Sequence, residues 1–182
     1  MKKLIIFVIL AMSFPLAAQE TRREVLHSTG NPAQDTRPNS GQVPDVYALS
    51  GHLERIVVLR FKYNTDLLAG LQKMIKQEKI RNAVILSGFG SVRGYQVHQV
   101  GNREFPPMDV FVKNPTAPAD IAGMSGLVME GRVHPHITLA NADKAFGGHL
   151  EPDTRVFTFA VVILAVLDDG LNLTKFDDWT YR

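Results

Sequence analysis

Apolar residues fall in short, β-branched runs along this chain, broken by glycine and proline, and one segment alone carries a helical period. Leu53 to Phe61 holds Ile56, Val57, Val58, Leu59 and Phe61 with little polar relief, which predicts a strand covered on both faces and central in a sheet. Asn64-Thr65-Asp66 then offers a helix cap. Leu67, Leu68, Leu71, Met74 and Ile75 recur at helical spacing, with Lys73, Lys76, Gln77 and Lys79 turned away, so an amphipathic helix follows. Ala83 to Leu86 and Val92 to Val100 read as two extended segments meeting at a glycine turn, Ser87-Gly88-Phe89-Gly90-Ser91. A broken strand is expected around Val110 to Val112 between Pro106-Pro107 and Pro115. Ile121 to Val133 reads as one strand relieved by Gly123, Gly126 and Gly131, and Val156 to Leu167 is a long apolar run. Asp168-Asp169-Gly170 is a turn signal before a last strand, Leu171 to Trp179. One helix among many strands predicts an α+β fold: a mixed, mostly antiparallel sheet with one main amphipathic helix.

The ends differ from this pattern. Lys2 and Lys3, the apolar run Leu4 to Leu10 and the small pair Ala17-Ala18 read as a secretory signal over residues 1–18. The apolar run is shorter than the roughly 20 residues that a membrane-spanning helix needs, and no cysteine follows it for lipid attachment. The expected location is the periplasm or the exterior, with no stable membrane span after cleavage. Residues 19–45 are polar and rich in turn formers, among them Gly30-Asn31-Pro32 and Arg37-Pro38-Asn39-Ser40-Gly41, and read as a flexible linker. The folded domain is expected over residues 46–182.

Composition narrows the function classes. The formal charge of +2 includes Lys2 and Lys3 and the leader carries no acid, so the mature chain is neutral. No cluster of Lys and Arg follows that would neutralise nucleic-acid phosphates. Zero cysteines exclude a disulfide framework. The Gly88-Phe89-Gly90 element does not fit a dinucleotide loop, because the third glycine position is Arg93 and no helix pattern follows.

The candidate chemistry lies between Gly131 and Leu150, where three of the six histidines fall. Residues two apart on a strand project to one face, and Pro135 holds His134 in extended conformation, so His134 and His136 stand side by side. The polar stretch Asn141 to Lys144 suits a reversing loop, and Gly147-Gly148 lets the backbone approach closely, which returns His149 toward the pair. Three neutral imidazoles suit zinc or a similar divalent metal, with a fourth position for water. The same spacing also suits histidines that line a strand for hydrogen bonding, and spacing alone does not separate the two. Glu130, Asp143 and Glu151 are nearby acids whose carboxylates the sequence does not place; His98 is a candidate to face the pocket from another strand, and His27 and His52 are expected in solvent.

Leu59-Arg60-Phe61, a helix, the Leu86 to Val92 element, His134-Pro135-His136 and Gly147-Gly148-His149-Leu150 occur in the order that resembles the plant and prokaryote conserved (PPC) domain family, also called DUF296. The resemblance covers about Val46 to Trp179. It implies an α+β fold around an antiparallel-rich sheet, assembly into a homotrimer, and a metal held by His134, His136 and His149. Plant members join this domain to AT-hook segments with an Arg-Gly-Arg-Pro core; Arg37-Pro38 lacks the preceding arginine and glycine, so DNA binding is expected from the family label only. The expected function is that of an exported trimeric binding and assembly module that holds a metal. The alternatives are a metal-dependent hydrolase or lyase acting on a small substrate, or a DNA-binding protein. In a trimer, part of the Val156 to Leu167 run is expected between subunits.

Overall fold

The computed structural model describes residues 21–182, so the secretory signal expected over residues 1–18 lies outside the described residues. The chain builds β1 (Arg22–His27), a short helix α1 (Pro32–Asp35), β2 (Leu53–Lys62), α2 (Leu67–Gln77), β3 (Ala83–Val100), β4 (Met108–Asn114), β5 (Ala119–Met129), β6 (Arg132–Ala140), β7 (Ala145–Leu150) and β8 (Arg155–Leu167), then a 3-10 turn at Thr174–Asp177. All pairings are antiparallel. This is the α+β architecture that the sequence predicts.

The long strand β3 organises the sheet. Its first part pairs with β8 on one side and β5 on the other, and its last part pairs with β7 and β4. Because β5 continues to β6 and β6 to β7, the path β3-β5-β6-β7 returns to β3 and the sheet closes on itself. Leu139, Leu150, Val97, Val92 and Val156 are fully buried within this enclosure. The helix α2 buries Leu67, Leu68, Leu71 and Ile75. Gly70 lets it approach the sheet: a Cβ there would meet the Phe61 ring at 2.7 Å.

Several expectations are corrected. The strand Leu53 to Phe61 is not central: β2 pairs with β8 alone among the described residues, and Ile56 and Val58 are exposed while Leu59 and Phe61 are buried. Its continuous apolar run therefore leaves one face open. Ser87 to Ser91 is not a turn, since β3 runs through it as one strand with shifted register. The segment Ile121 to Val133 is a hairpin, because Glu130 (φ 51°) and Gly131 (φ 76°) adopt consecutive left-handed conformations that reverse the chain between β5 and β6. Leu171 to Trp179 forms the 3-10 turn instead of a strand; Asn172 Oδ1 accepts from the Thr174 amide at 3.1 Å and hydroxyl at 2.6 Å, which curls the chain. Finally, residues 19–45 are not uniformly a linker: β1 adds to the free edge of β4 with every side chain exposed, so backbone pairing forms it without an apolar period.

Asp66 joins helix and sheet. Its Oδ1 accepts from the Ala69 amide at 2.9 Å, capping α2, and its Oδ2 accepts from the Asp153 amide at 2.7 Å in the β7–β8 connection. Asp66→Ala is expected to lower stability by about 1–2 kcal/mol, and Asp66→Asn by less because the amide oxygen still caps the helix. Urea unfolding of the two variants beside the parent measures this.

Candidate metal centre

Closure of the sheet aligns three histidines in one row. His136 on β6 is the register partner of His149 on β7, and His149 is the register partner of His98 on β3. His134 lies two residues along β6 from His136 and shares its face. Gly147 and Gly148 make the row possible. A Cβ on Gly147 would lie 2.1 Å from the Ile137 carbonyl oxygen, and one on Gly148 would lie 2.1 Å from that of His98. Only a strand without side chains at these two positions fits so closely between β6 and β3. The Asn141 to Lys144 loop forms as expected, with Asn141 Oδ1 accepting from the amides of Asp143 and Lys144 at 3.0 Å each.

The four imidazoles form one cluster. Ring centroids are 5.3 Å apart for His134 and His136, 4.8 Å for His134 and His149, 5.7 Å for His136 and His149, and 4.6 Å for His98 and His149. His134 Nε2 and His136 Nε2 face each other at 3.2 Å. Two imidazole nitrogens bound to one tetrahedral zinc, each at about 2.0–2.1 Å, stand roughly 3.3 Å apart, so this spacing suits a shared ion. Among the described residues, the set whose ligand atoms all lie within 4.8 Å of one another is His98, His149 and Glu151, which shares only His149 with the three ligands expected from sequence. His149 Nδ1 is buried and makes no hydrogen bond, its approach to Glu151 Oε1 at 3.3 Å being poorly aligned for one. An unsatisfied imidazole nitrogen beside a carboxylate is a fit for a divalent cation.

Charge divides the cluster. Burial holds His136 below the usual histidine range, and the charges of His134, His149 and His98 push it the same way; it stays neutral, as a metal ligand must. His98 goes the opposite way. Its Nδ1 contacts Glu151 Oε1 at 2.6 Å, and this hydrogen bond, against the burial cost and with help from the charges of Asp109 and Glu151, holds it above the usual range. For Glu151, burial favours the neutral acid, but the contacts from His149 and His98 outweigh it and bring the carboxyl down to about 2.

Of the acids considered from sequence, Glu151 alone joins the cluster. Glu130 pairs with Arg81, and Asp143 is exposed in the β6–β7 loop. His98 does face the histidines, while His27 and His52 are exposed. Two further groups carry no spacing signal: Asp177, 2.6 Å from His134 Nδ1, and Asp109, 3.9 Å from His98 Nε2. The His98–Glu151 pair gives a signed pH dependence. Glu151 is depressed from 4.5, so its contribution holds above that value and fades as pH falls toward about 2. His98 is raised above 6.5, so its contribution is full below that value and fades as pH rises through its folded value. With chelator present, the stability difference between parent and Glu151→Gln is expected to peak between pH 4.5 and 6.5, read from urea midpoints across the range.

The fold is matched elsewhere. A metal-containing protein from Archaeoglobus fulgidus superposes with a TM-score of 0.54 at 20% identity, over 68% of this chain and 86% of that one. A plant- and prokaryote-conserved protein from Pyrococcus horikoshii superposes with a TM-score of 0.52 at 22% identity, over 68% and 85%. At these identities the likeness is one of fold. The bifunctional protein GlmU from Synechococcus is 26% identical over 130 residues, 71% of this chain and 20% of that protein, so the chain spans about a fifth of this relative. The model of the Plants and Prokaryotes Conserved domain matches residues 48–168, from the start of β2 through β8 and with every histidine of the cluster inside it; this chain belongs to that family.

Proposed function

We propose that this protein is an exported, homotrimeric metal-binding domain that works as a binding and assembly module. The observation that carries the metal reading is the facing pair His134 Nε2 and His136 Nε2 at 3.2 Å, with the His149 ring in edge contact with both. His134, His136 and His149 would hold zinc or a similar divalent ion, and the fold neighbour from Archaeoglobus fulgidus, described as metal-containing, is consistent with this. Bound there, such an ion supplies a Lewis acid and lowers the pKa of a coordinated water.

The surrounding residues favour binding over turnover. Glu151 is the carboxylate nearest the cluster among those read from sequence, but at a pKa of about 2 it is a weak proton acceptor at neutral pH. His98 is committed to Glu151 through the contact at Nδ1. Hydrolase or lyase chemistry would need a base close to neutrality, and His136, kept neutral by burial, is occupied in the metal set. The neutral charge of the mature chain argues against nucleic acid as the partner.

The assembly reading rests on the face that α2 leaves open. On β2, β3 and β8, Ile56, Val58, Phe89, Phe157 and Phe159 are all exposed, Val58 at 63%. Phe89 meets Phe159 edge to face at 6.5 Å, Phe157 meets Tyr63 at 6.4 Å, and the exposed Arg60 places its guanidinium over the Phe159 ring. Exposed apolar residues gathered on one sheet face mark an interaction surface, and the family resemblance sets the expected number of copies at three. Export rests on the leader over residues 1–18.

Elemental analysis of mature protein purified without a metal column is expected to find about one ion per chain, lost in a His134→Ala/His149→Ala double variant. No metal in the parent would overturn the metal reading. Separately, sedimentation is expected to give a trimer for the parent and a lower mass for Val58→Asp, which places a charge in the apolar face; a monomeric parent at micromolar concentration would remove the assembly reading.

A further inference from the structure

The segment after β8 lies outside the residues matched by the family model, yet it reaches the histidines. The buried Asn82 anchors its start, donating from Nδ2 to the Leu171 carbonyl at 2.8 Å, and Leu173 is buried beside it. Its end is held by the N-terminal arm. The Arg182 carbonyl accepts from the Ser40 amide at 2.8 Å, its guanidinium donates to Asn39 Oδ1 at 2.9 Å, and it lies 3.7 Å from the centre of the Phe105 ring. Between these anchors Phe176 and Tyr181 pack on Tyr47, with centroids 5.5 and 5.8 Å away. The 3-10 turn is thus fixed in place, and its last residue, Asp177, sits with Oδ1 2.6 Å from His134 Nδ1 and Oδ2 3.8 Å from the Arg132 guanidinium.

We propose that Asp177 is a positioning residue that sets the tautomer and orientation of His134, so that the terminal segment of this chain completes the metal centre. A neutral imidazole has one N–H, and a carboxylate accepts without donating. The contact therefore places the proton of His134 on Nδ1 and leaves a lone pair on Nε2, the atom that faces His136. With the proton on Nε2 instead, an N–H would point where an ion must sit. Loss of a carboxylate partner behind a ligating histidine typically weakens metal binding by about 10–100-fold. The second oxygen faces the exposed Arg132 guanidinium at 3.8 Å, which adds a favourable charge on that side.

This inference rests on the metal reading above, and the test separates the two. Zinc affinity of the full mature chain is measured by chelator competition for the parent, Asp177→Ala and Asp177→Asn, alongside 15N shifts of His134 in the metal-free proteins. The expected result is a loss of about 10–100-fold in Asp177→Ala, partial recovery in Asp177→Asn, whose amide oxygen still accepts from Nδ1–H, and unchanged metal-free melting in both. Parental affinity in Asp177→Ala, or an Nε2–H tautomer in the metal-free parent, would overturn the proposal. If the parent binds no zinc, the metal reading fails, and the nitrogen shifts still decide whether Asp177 holds Nδ1–H. If Asp177→Ala does not fold, Asp177→Asn carries the comparison.

Discussion

The whole site depends on one strand being allowed to lie closer to its neighbours than side chains permit. β7 closes the sheet by pairing with β6 on one side and β3 on the other. At Gly147 and Gly148 a methyl group would fall 2.1 Å from a carbonyl oxygen of each neighbour in turn, well inside van der Waals contact. That closure sets two registers at once, His136 with His149 and His149 with His98. A slip of one residue in either would turn Ile137 or Val97 toward the row and send a histidine into the core, where both of those residues are now buried. Burial on one face of the sheet thereby enforces the histidine row on the other.

Crowding imidazoles this way has an electrostatic cost, and the cluster meets it unequally across its width. At the β6 end, burial and neighbouring imidazoles keep His136 neutral. At the β3 end, Glu151 contacts both His149 and His98, with Asp109 adding negative charge behind His98. The cluster thus runs from a neutral imidazole on β6 to an acid-paired histidine on β3. The buried, unbonded His149 Nδ1 lies between the two regimes.

Much of this was legible because it follows local rules. A β-strand projects alternate residues to one side, so His134-Pro135-His136 defines a face, and Gly147-Gly148 announces a close approach whatever its partner is. The helix α2 was equally plain, since its cap and apolar stripe lie within one short segment. Non-local information was hidden. Nothing in Leu53 to Phe61 distinguishes a strand buried by helices from one whose second face is open, because Ile56 and Val58 keep that face apolar although it is exposed. Nothing in Arg22 to His27 announces a strand, since its support is the backbone of β4. Asp177 is 43 positions from the histidine it touches and comes from a segment whose strand-like composition conceals a 3-10 turn.

The glycine element of β3 has a role that neither a turn nor a phosphate loop describes. Along β3 the buried residues are Ala83 and Ile85, then Gly88, Val92 and Gly94, then Tyr95 and Val97, so the inward parity changes from odd to even and back. Each change coincides with a register shift in which β3 carries one residue more than β8, first between Ile85 and Ser87 and again between Val92 and Gly94. An extra residue in one strand of a pair is a bulge, and it exchanges the faces of everything beyond it. Between the two bulges lies a third shift, from Gly90 to Val92, where β8 carries two residues more and Gly90 adopts a φ of 136° that side chains rarely do; at the second bulge a Cβ on Gly94 would lie 2.4 Å from the Pro115 carbonyl oxygen. The first bulge leaves Phe89 on the open apolar face, and the second returns His98 to the face of His149. One strand thus serves both surfaces, and the glycines that make it look like a loop in sequence are what allow it to do so.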